Sequence, residues 1–299
     1  MQEETVQGSS SFTLASKLRD YLMLFKPTLN VMVVFSAVIS YLLAPKVVEY
    51  DVVMITLFFI GGFLVVGSAN TVNQVVEKDT DAKMMRTAKR PVASGRMSES
   101  EGWMVALVTG FAGILILGYF FNWLSAGIAL FSLFLYAFVY TPLKKVNSIS
   151  VLVGAVPGAL PCLIGWVAGN DAISAGGWVM FAIQFVWQFP HFWAIAWLAH
   201  KDYSNAGFRL LPSVQGPTKY SAIQSIIYSL LLIPVGILPY LIGMSGIVSL
   251  LVVLLANLLM VWQSVRLFKE MEAKAARRVM FSSYIHLPVV LLALLMDKI

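Results

Sequence analysis

Charged side chains are what this chain has least of. They make up 12% of its 299 residues, against 59% hydrophobic, whereas a soluble domain carries about a quarter. That deficit excludes an ordinary soluble domain. A single cysteine, Cys162, excludes an internal disulfide; it falls within an apolar stretch and reads as packing. Residues 1–20 form a polar tail without the apolar core of a signal peptide, so no cleavage is expected. Beyond the Ser-rich start at Ser9 to Ser11 there is no low-complexity tract, and no soluble segment separates off. One transmembrane domain over residues 1–299 is the expected organisation.

What the chain has is long apolar runs. Windows of roughly 20 mostly apolar residues, the length that crosses about 30 Å of hydrocarbon, fit nine times: 22–44, 52–76, 103–121, 124–141, 149–168, 176–199, 220–242, 246–265 and 280–297. The expected fold is all-α, a polytopic membrane protein of nine transmembrane helices. Lys and Arg accumulate on the cytoplasmic side of short loops. With nine spans, 19 of the 21 fall on the side of the N-terminus, leaving only Lys46 and Lys298 opposite. This predicts a cytoplasmic N-terminus and an outward C-terminus. The net charge of +6 then reflects topology and an anionic lipid surface, and gives no reason to propose nucleic acid.

The exception to the charge deficit is the stretch from Asn73 to Pro91, NQVVEKDTDAKMMRTAKRP, with three acids and five bases behind the second span. On a helix at 100° per residue, Asn70, Asn73, Glu77 and Asp81 share an arc of about 80°, while Asp79 points elsewhere. Such a face must look into the bundle or a water-filled cavity. Two readings fit the spacing alone. In one, Glu77 and Asp81 pair with neighbouring bases in a polar loop. In the other, they hold a hard cation such as Mg²⁺, whose remaining coordination goes to water and substrate phosphate. Lys83, Arg86, Lys89 and Arg90 supply phosphate-gripping groups beside them.

The string N-x-x-x-E-x-x-x-D (Asn73, Glu77, Asp81) followed by M-x-R-T-x-x-R-P-x-x-x-G (Met84, Arg86, Thr87, Arg90, Pro91, Gly95) resembles the first acidic motif of the UbiA-type intramembrane prenyltransferases. YTPLKK from Tyr140, VGAVPGALPCLIGW from Val153, WQFPHFWAIAWLAHKDY from Trp187 and LLP at 210–212 extend the resemblance over nearly the whole chain. Within the superfamily it looks like the heme O synthase branch. The resemblance implies a ring of nine helices around a central cavity and transfer of farnesyl from farnesyl diphosphate to a vinyl group of heme B, with addition of water. It implies Asn73, Glu77 and Asp81 as Mg²⁺ ligands and Arg86 and Arg90 as diphosphate contacts, with a bacterial inner membrane as location. A heme A synthase or a terminal oxidase would be the downstream partner. Two departures stand out. Glu77 replaces the superfamily's usual Asp, and the second acidic stretch carries only Asp202, followed by Asn205 and Ala206. The single acid fits the heme branch better than one prenylating an aromatic quinone precursor, the alternative substrate class.

Lys201 and Asp202 belong to the same face as the first acidic motif, so both are expected to converge on it, Lys201 as a diphosphate contact. Lys144 and Lys145 either approach the diphosphate or a heme propionate, or are plain positive-inside loop residues. Gln188, His191 and Asp202 fall within about 60° on a continuous helix, with His191 roughly 16 Å deeper than Asp202. His191 is either a heme-iron ligand or a hydrogen-bonding partner of another helix. His200 and His286 read as interfacial. Lys26 and Pro27 resemble the family's Lys-Pro start. A transporter would instead distribute polar residues through several spans at mid-depth; here they cluster at the ends of spans two and six.

Overall fold

The computed structural model describes residues 14–299 apart from Lys145, Asn147 and Val214. Helices account for most of them: α1 (Leu14–Phe25), α2 (Pro27–Leu43), α3 (Val52–Val76), α4 (Lys78–Asp81), α5 (Glu99–Phe120), α6 (Trp123–Phe134), α7 (Thr141–Leu143), α8 (Ile149–Asn170), α9 (Ala175–Leu198), α10 (His200–Asn205), α11 (Lys219–Leu241), α12 (Ile247–Glu270) and α13 (Ala273–Met296). Eight of the described helices, α6 being counted through α7, are long and apolar enough to cross a membrane. The pair α1 and α2, bent by 46°, supplies a ninth. The nine expected spans are therefore present. The last begins seven residues earlier than the hydropathy pattern suggests, because Lys274, Arg277 and Arg278 sit on its first turns.

Successive spans pack side by side and α13 closes on α2, completing the ring; α2 against α8 and α9 against α13 also touch across it. The most buried spans are α8 and α9. Close approach of α2 and α8 depends on Gly165, where a Cβ would lie 2.0 Å from the Ala37 carbonyl oxygen. Serines bond neighbouring helices within the apolar interior: Ser40 Oγ donates to Cys162 O at 2.6 Å and Ser68 Oγ to Ala106 O at 2.7 Å. Cys162 is a free, buried thiol in this packing.

Three breaks in helical geometry lie at one end of the bundle. Lys26 adopts φ 47, an uncommon left-handed conformation for a residue with a Cβ, and Pro27 restarts the helix as α2. Glu77 leaves helical geometry (φ −97, ψ 11) between α3 and α4. Leu135–Tyr140 forms a π-helical turn between α6 and α7, and such turns are frequent at functional sites.

Candidate active site

The first acidic motif is buried where these breaks meet. Asn73, Glu77 and Asp81 are 2%, 5% and 0% exposed, while Asp79 faces outward as its angle predicts. The expected arc does not lie on one continuous helix. The turn at Glu77 rotates Asp81 onto α4, and the carboxylates acquire separate cationic partners. Asn73 Nδ2 donates to Glu77 Oε2 at 2.7 Å. Lys144 Nζ donates to Asn73 Oδ1 at 2.8 Å and to Glu77 Oε1 at 3.0 Å. Arg90 Nη1 donates to Asp81 Oδ2 at 2.6 Å. Asp81 Oδ1 is buried with no hydrogen-bond partner among the described residues. Burial pushes the Asp81 carboxyl above its ordinary pKa, Arg90 acts against that, and neighbouring Glu77 adds to it.

The π-helical turn delivers the Lys144 side. Tyr136 OH lies 3.5 Å from Asn73 Oδ1, and the Tyr140 ring is 4.6 Å from Lys144 Nζ, within cation–π range. Gly154 on α8 makes room for that ring: a Cβ there would sit 2.4 Å from Tyr140. At the Lys26 break the freed carbonyls of Met23 and Leu24 accept from Gln74 Nε2 at 3.0 and 2.9 Å, and Phe25 O accepts from Asn70 Nδ2 at 3.4 Å. Lys26 sits at this break, between the carbonyls held by Gln74 and Asn70 and the first turn of α2. Lys144 and Arg90 stand one to one against the two carboxylates, so a metal taken up by the carboxylates would free two cations for an anion.

Tyr203 on α10 meets the exposed Arg86 of the segment after α4. Arg86 Nη2 donates to Tyr203 OH at 3.0 Å, and its guanidinium lies 5.6 Å from the ring centre. Asp202, on α10, is half-buried and Lys201 exposed; no hydrogen bond or ion pair to another described residue involves either side chain. Lys145 lies outside the described residues. Beside α10 is a cavity of about 440 Å³, lined by Tyr203, Phe208, His200 and Arg209 among others. A smaller apolar cavity of about 40 Å³ lies deeper, among Val34, Phe58, Gly62, Val65, Leu117 and Ile164.

The continuous helix expected through Asp202 is interrupted. α9 ends at Leu198, Ala199 leaves helical geometry, and α10 begins anew. The expected shared face of Gln188 and His191 is divided as well: Gln188 Nε2 donates to Ala155 O on α8 at 3.1 Å, whereas His191 Nδ1 bonds Ser283 Oγ on α13 at 2.8 Å. Ser283 Oγ also bonds Met280 O at 2.6 Å as donor, so His191 Nδ1 is the donor and Nε2 keeps its lone pair. Trp187 stacks on the imidazole at 4.8 Å between ring centres. His286 is not interfacial: it is 4% exposed on α13, and its Nε2 bonds Asn257 Oδ1 at 2.7 Å. Lys144, Tyr136 and Tyr203 are the contributors that sequence reasoning undervalued. Only the position of Tyr140 and Lys144 one helical turn apart hinted at a shared face.

Oxygen donors dominate the acidic pocket, and no three His, Cys, Asp or Glu side chains converge among the described residues. This donor set suits a hard cation completed by substrate and water, not a protein-enclosed zinc site. The unpartnered Asp81 Oδ1 and the Glu77 carboxylate are the oxygens such an ion would take.

A nine-span helical ring with buried carboxylates and opposed cations at one mouth has the architecture of an intramembrane prenyltransferase. Residues 33–286 match the UbiA prenyltransferase family, and the chain belongs to it. It is 42% identical to a protoheme IX farnesyltransferase of Cytophaga hutchinsonii over 96% of this chain and 100% of that one. It is 39% identical to the protoheme IX farnesyltransferase of Christiangramia forsetii over 95% of each. Among solved structures, a digeranylgeranylglyceryl phosphate synthase superposes with TM-score 0.77 at 21% identity, covering 94% of this chain and 98% of that one. A UbiA homolog from Archaeoglobus fulgidus bound to GPP and Mg²⁺ gives TM-score 0.60 at 14% identity, covering 92% and 99%.

Proposed function

We propose that this prenyltransferase moves the farnesyl group of farnesyl diphosphate to a vinyl group of heme B, with water adding a hydroxyl, to give heme O. The observation that carries the reading is the convergence of Asn73, Glu77 and Asp81 with Lys144 and Arg90 in one buried pocket, in a chain whose full-length relatives are named for that reaction. Asn73, Glu77 and Asp81 would hold Mg²⁺. When bound, the ion neutralises charge growing on the diphosphate as the allylic carbon–oxygen bond lengthens.

The chain's own residues do the rest. Lys144 and Arg90 now neutralise the carboxylates; with a metal in that role, the ammonium and the guanidinium turn to diphosphate oxygens. Arg86, propped on Tyr203, closes over the outer oxygens, with Asp202 and Lys201 on the adjoining α10 and Lys145 beside Lys144. The farnesyl tail runs past Val65 and Phe58 toward the deeper apolar cavity, which is smaller than the tail requires, so α2, α3 and α8 part to admit it. Apolar walls shield the allylic cation from water. His191 presents Nε2 as the one ring nitrogen available to heme iron; unchanged heme affinity and turnover after His191→Ala would remove that role. The charged end faces the cytoplasm of a bacterial inner membrane, and the product passes to a heme A synthase or terminal oxidase.

Purified protein incubated with heme B, farnesyl diphosphate and Mg²⁺ is expected to give a heme heavier by one farnesyl and one hydroxyl group, with diphosphate and a proton released. Absence of that product, together with prenylation of 4-hydroxybenzoate, would replace the reading with the quinone-precursor alternative.

A further inference from the structure

The N-terminal helix α1 divides its circumference into three sectors. Toward the protein, Asp20 accepts from Arg96 Nη2 at 2.9 Å, and Lys17 Nζ and Tyr21 OH donate to the two oxygens of Glu101, each at 2.8 Å. Leu24 is wholly buried on the same side. Next to that sector, Leu14, Leu18 and Leu22 are 89%, 60% and 50% exposed; at 100° per residue they occupy an arc of about 80°. Beyond it, Arg19 and Ser16 are exposed on the remaining side. A helix on a water-facing surface would have no reason to order its side chains as protein, leucine, then polar.

Geometry explains the leucines. The 17 residues of α2 rise about 25 Å at 1.5 Å each, nearly the whole of an about 30 Å hydrocarbon layer. The 46° bend then has α1 leave the boundary between lipid and water obliquely to α2. Past the break, Leu29 and Met32 of α2 are exposed as well. We infer that α1 is an oblique interfacial extension of the first span whose Leu14, Leu18 and Leu22 insert among the lipids of the leaflet at the charged end, with Arg19 at headgroup level. The occupant of the stripe is the bilayer itself. The consequence reaches the pocket, because Gln74, next to Asn73, holds the last carbonyls of α1. Lipid contact thus helps hold Lys26 at its position.

The inference does not depend on the substrate, and its test does not use turnover. Cysteine replaces Leu18, Arg19 and Leu22 one at a time in the full chain, is labelled with a nitroxide, and the protein is reconstituted in vesicles of phosphatidylcholine and phosphatidylglycerol. Cys162 is wholly buried, so the parent chain is the unlabelled control. Nitroxides at 18 and 22 are expected to collide severalfold more with dissolved oxygen than with a water-soluble nickel chelate, and the nitroxide at 19 the reverse. Leu14 provides a third stripe position should a label at 18 disturb folding. Equal nickel access at 18, 19 and 22 would place the stripe in water. Protection from both probes at 18 and 22 would mean that protein covers it; either result overturns the inference.

Discussion

The two ends of the bundle use polar groups in opposite ways. At the end bearing Lys46 and Lys298, charges finish helices. Lys298 Nζ donates to the carbonyls of Leu42, Ala44 and Val47 at 2.7–2.9 Å, Asp51 caps α3 through the amides of Val53 and Met54, and Asp297 Oδ2 accepts from Ser249 N at 2.7 Å. At the other end, Glu77 and Asp81 are buried against Lys144 and Arg90, and Asp81 Oδ1 has no hydrogen-bond partner among the described residues. Burying an ion pair gains little over apolar packing of the same volume, whereas breaking one is costly. The far end is organised for stability; the charged end keeps opposed charges in place at stability's expense, as preorganised sites do.

Substitutions that act on activity at one end and on stability at the other sharpen that contrast. The largest effect is expected from Glu77→Gln and Asp81→Asn, each lowering prenyl transfer by about a hundredfold or more. Lys144→Met alone leaves Glu77 buried without its cation and costs about 3–5 kcal/mol of stability. The double variant Lys144→Met with Glu77→Gln recovers part of that loss and none of the activity, a coupling measurable by paired thermal unfolding and product assays. An unimpaired Glu77→Gln enzyme would break the comparison. A smaller effect is expected deeper in the bundle. Val65→Trp fills the apolar cavity and lowers turnover with farnesyl diphosphate about tenfold more than with geranyl diphosphate, assayed side by side with the same acceptor.

Much of this contrast could be read before any coordinates. Span two ends at Val76 in both readings, since its apolar run stops where acids begin, and the outward direction of Asp79 follows from helical angle alone. What could not be read are departures from helical regularity. Nothing in the local pattern marks the break at Glu77, the π-helical turn before Thr141 or the end of α9 at Leu198, and each redirects side chains by a large angle. For that reason Lys144 enters the pocket, although a positive-inside loop explained it equally well. For the same reason Gln188 and His191 part company, one bonded to α8 and the other to α13. By charge count Lys298 is only a stray base on the outer side; its three carbonyl acceptors lie at the end of α2 and in the loop that follows, more than 250 residues away, which no local pattern encodes.

At the far end the expected effects are on stability alone. Lys298→Met removes a charged donor from three carbonyls at the end of α2 and is expected to cost about 2 kcal/mol, with turnover per folded molecule unchanged. Asp297→Ala is the mildest change. It deprives the first turn of α12 of one acceptor, a loss of about 1 kcal/mol by analogy with helix caps. Asp297 also touches the one place where a Cβ on Gly246 would crowd its carboxylate, at 2.8 Å, so the carboxylate sits directly over the start of α12. Thermal unfolding in detergent measures both losses. If Asp297→Ala instead lowered prenyl transfer without lowering the unfolding temperature, the far end would be coupled to the reaction, and the division between a stabilising end and a reacting end would fail.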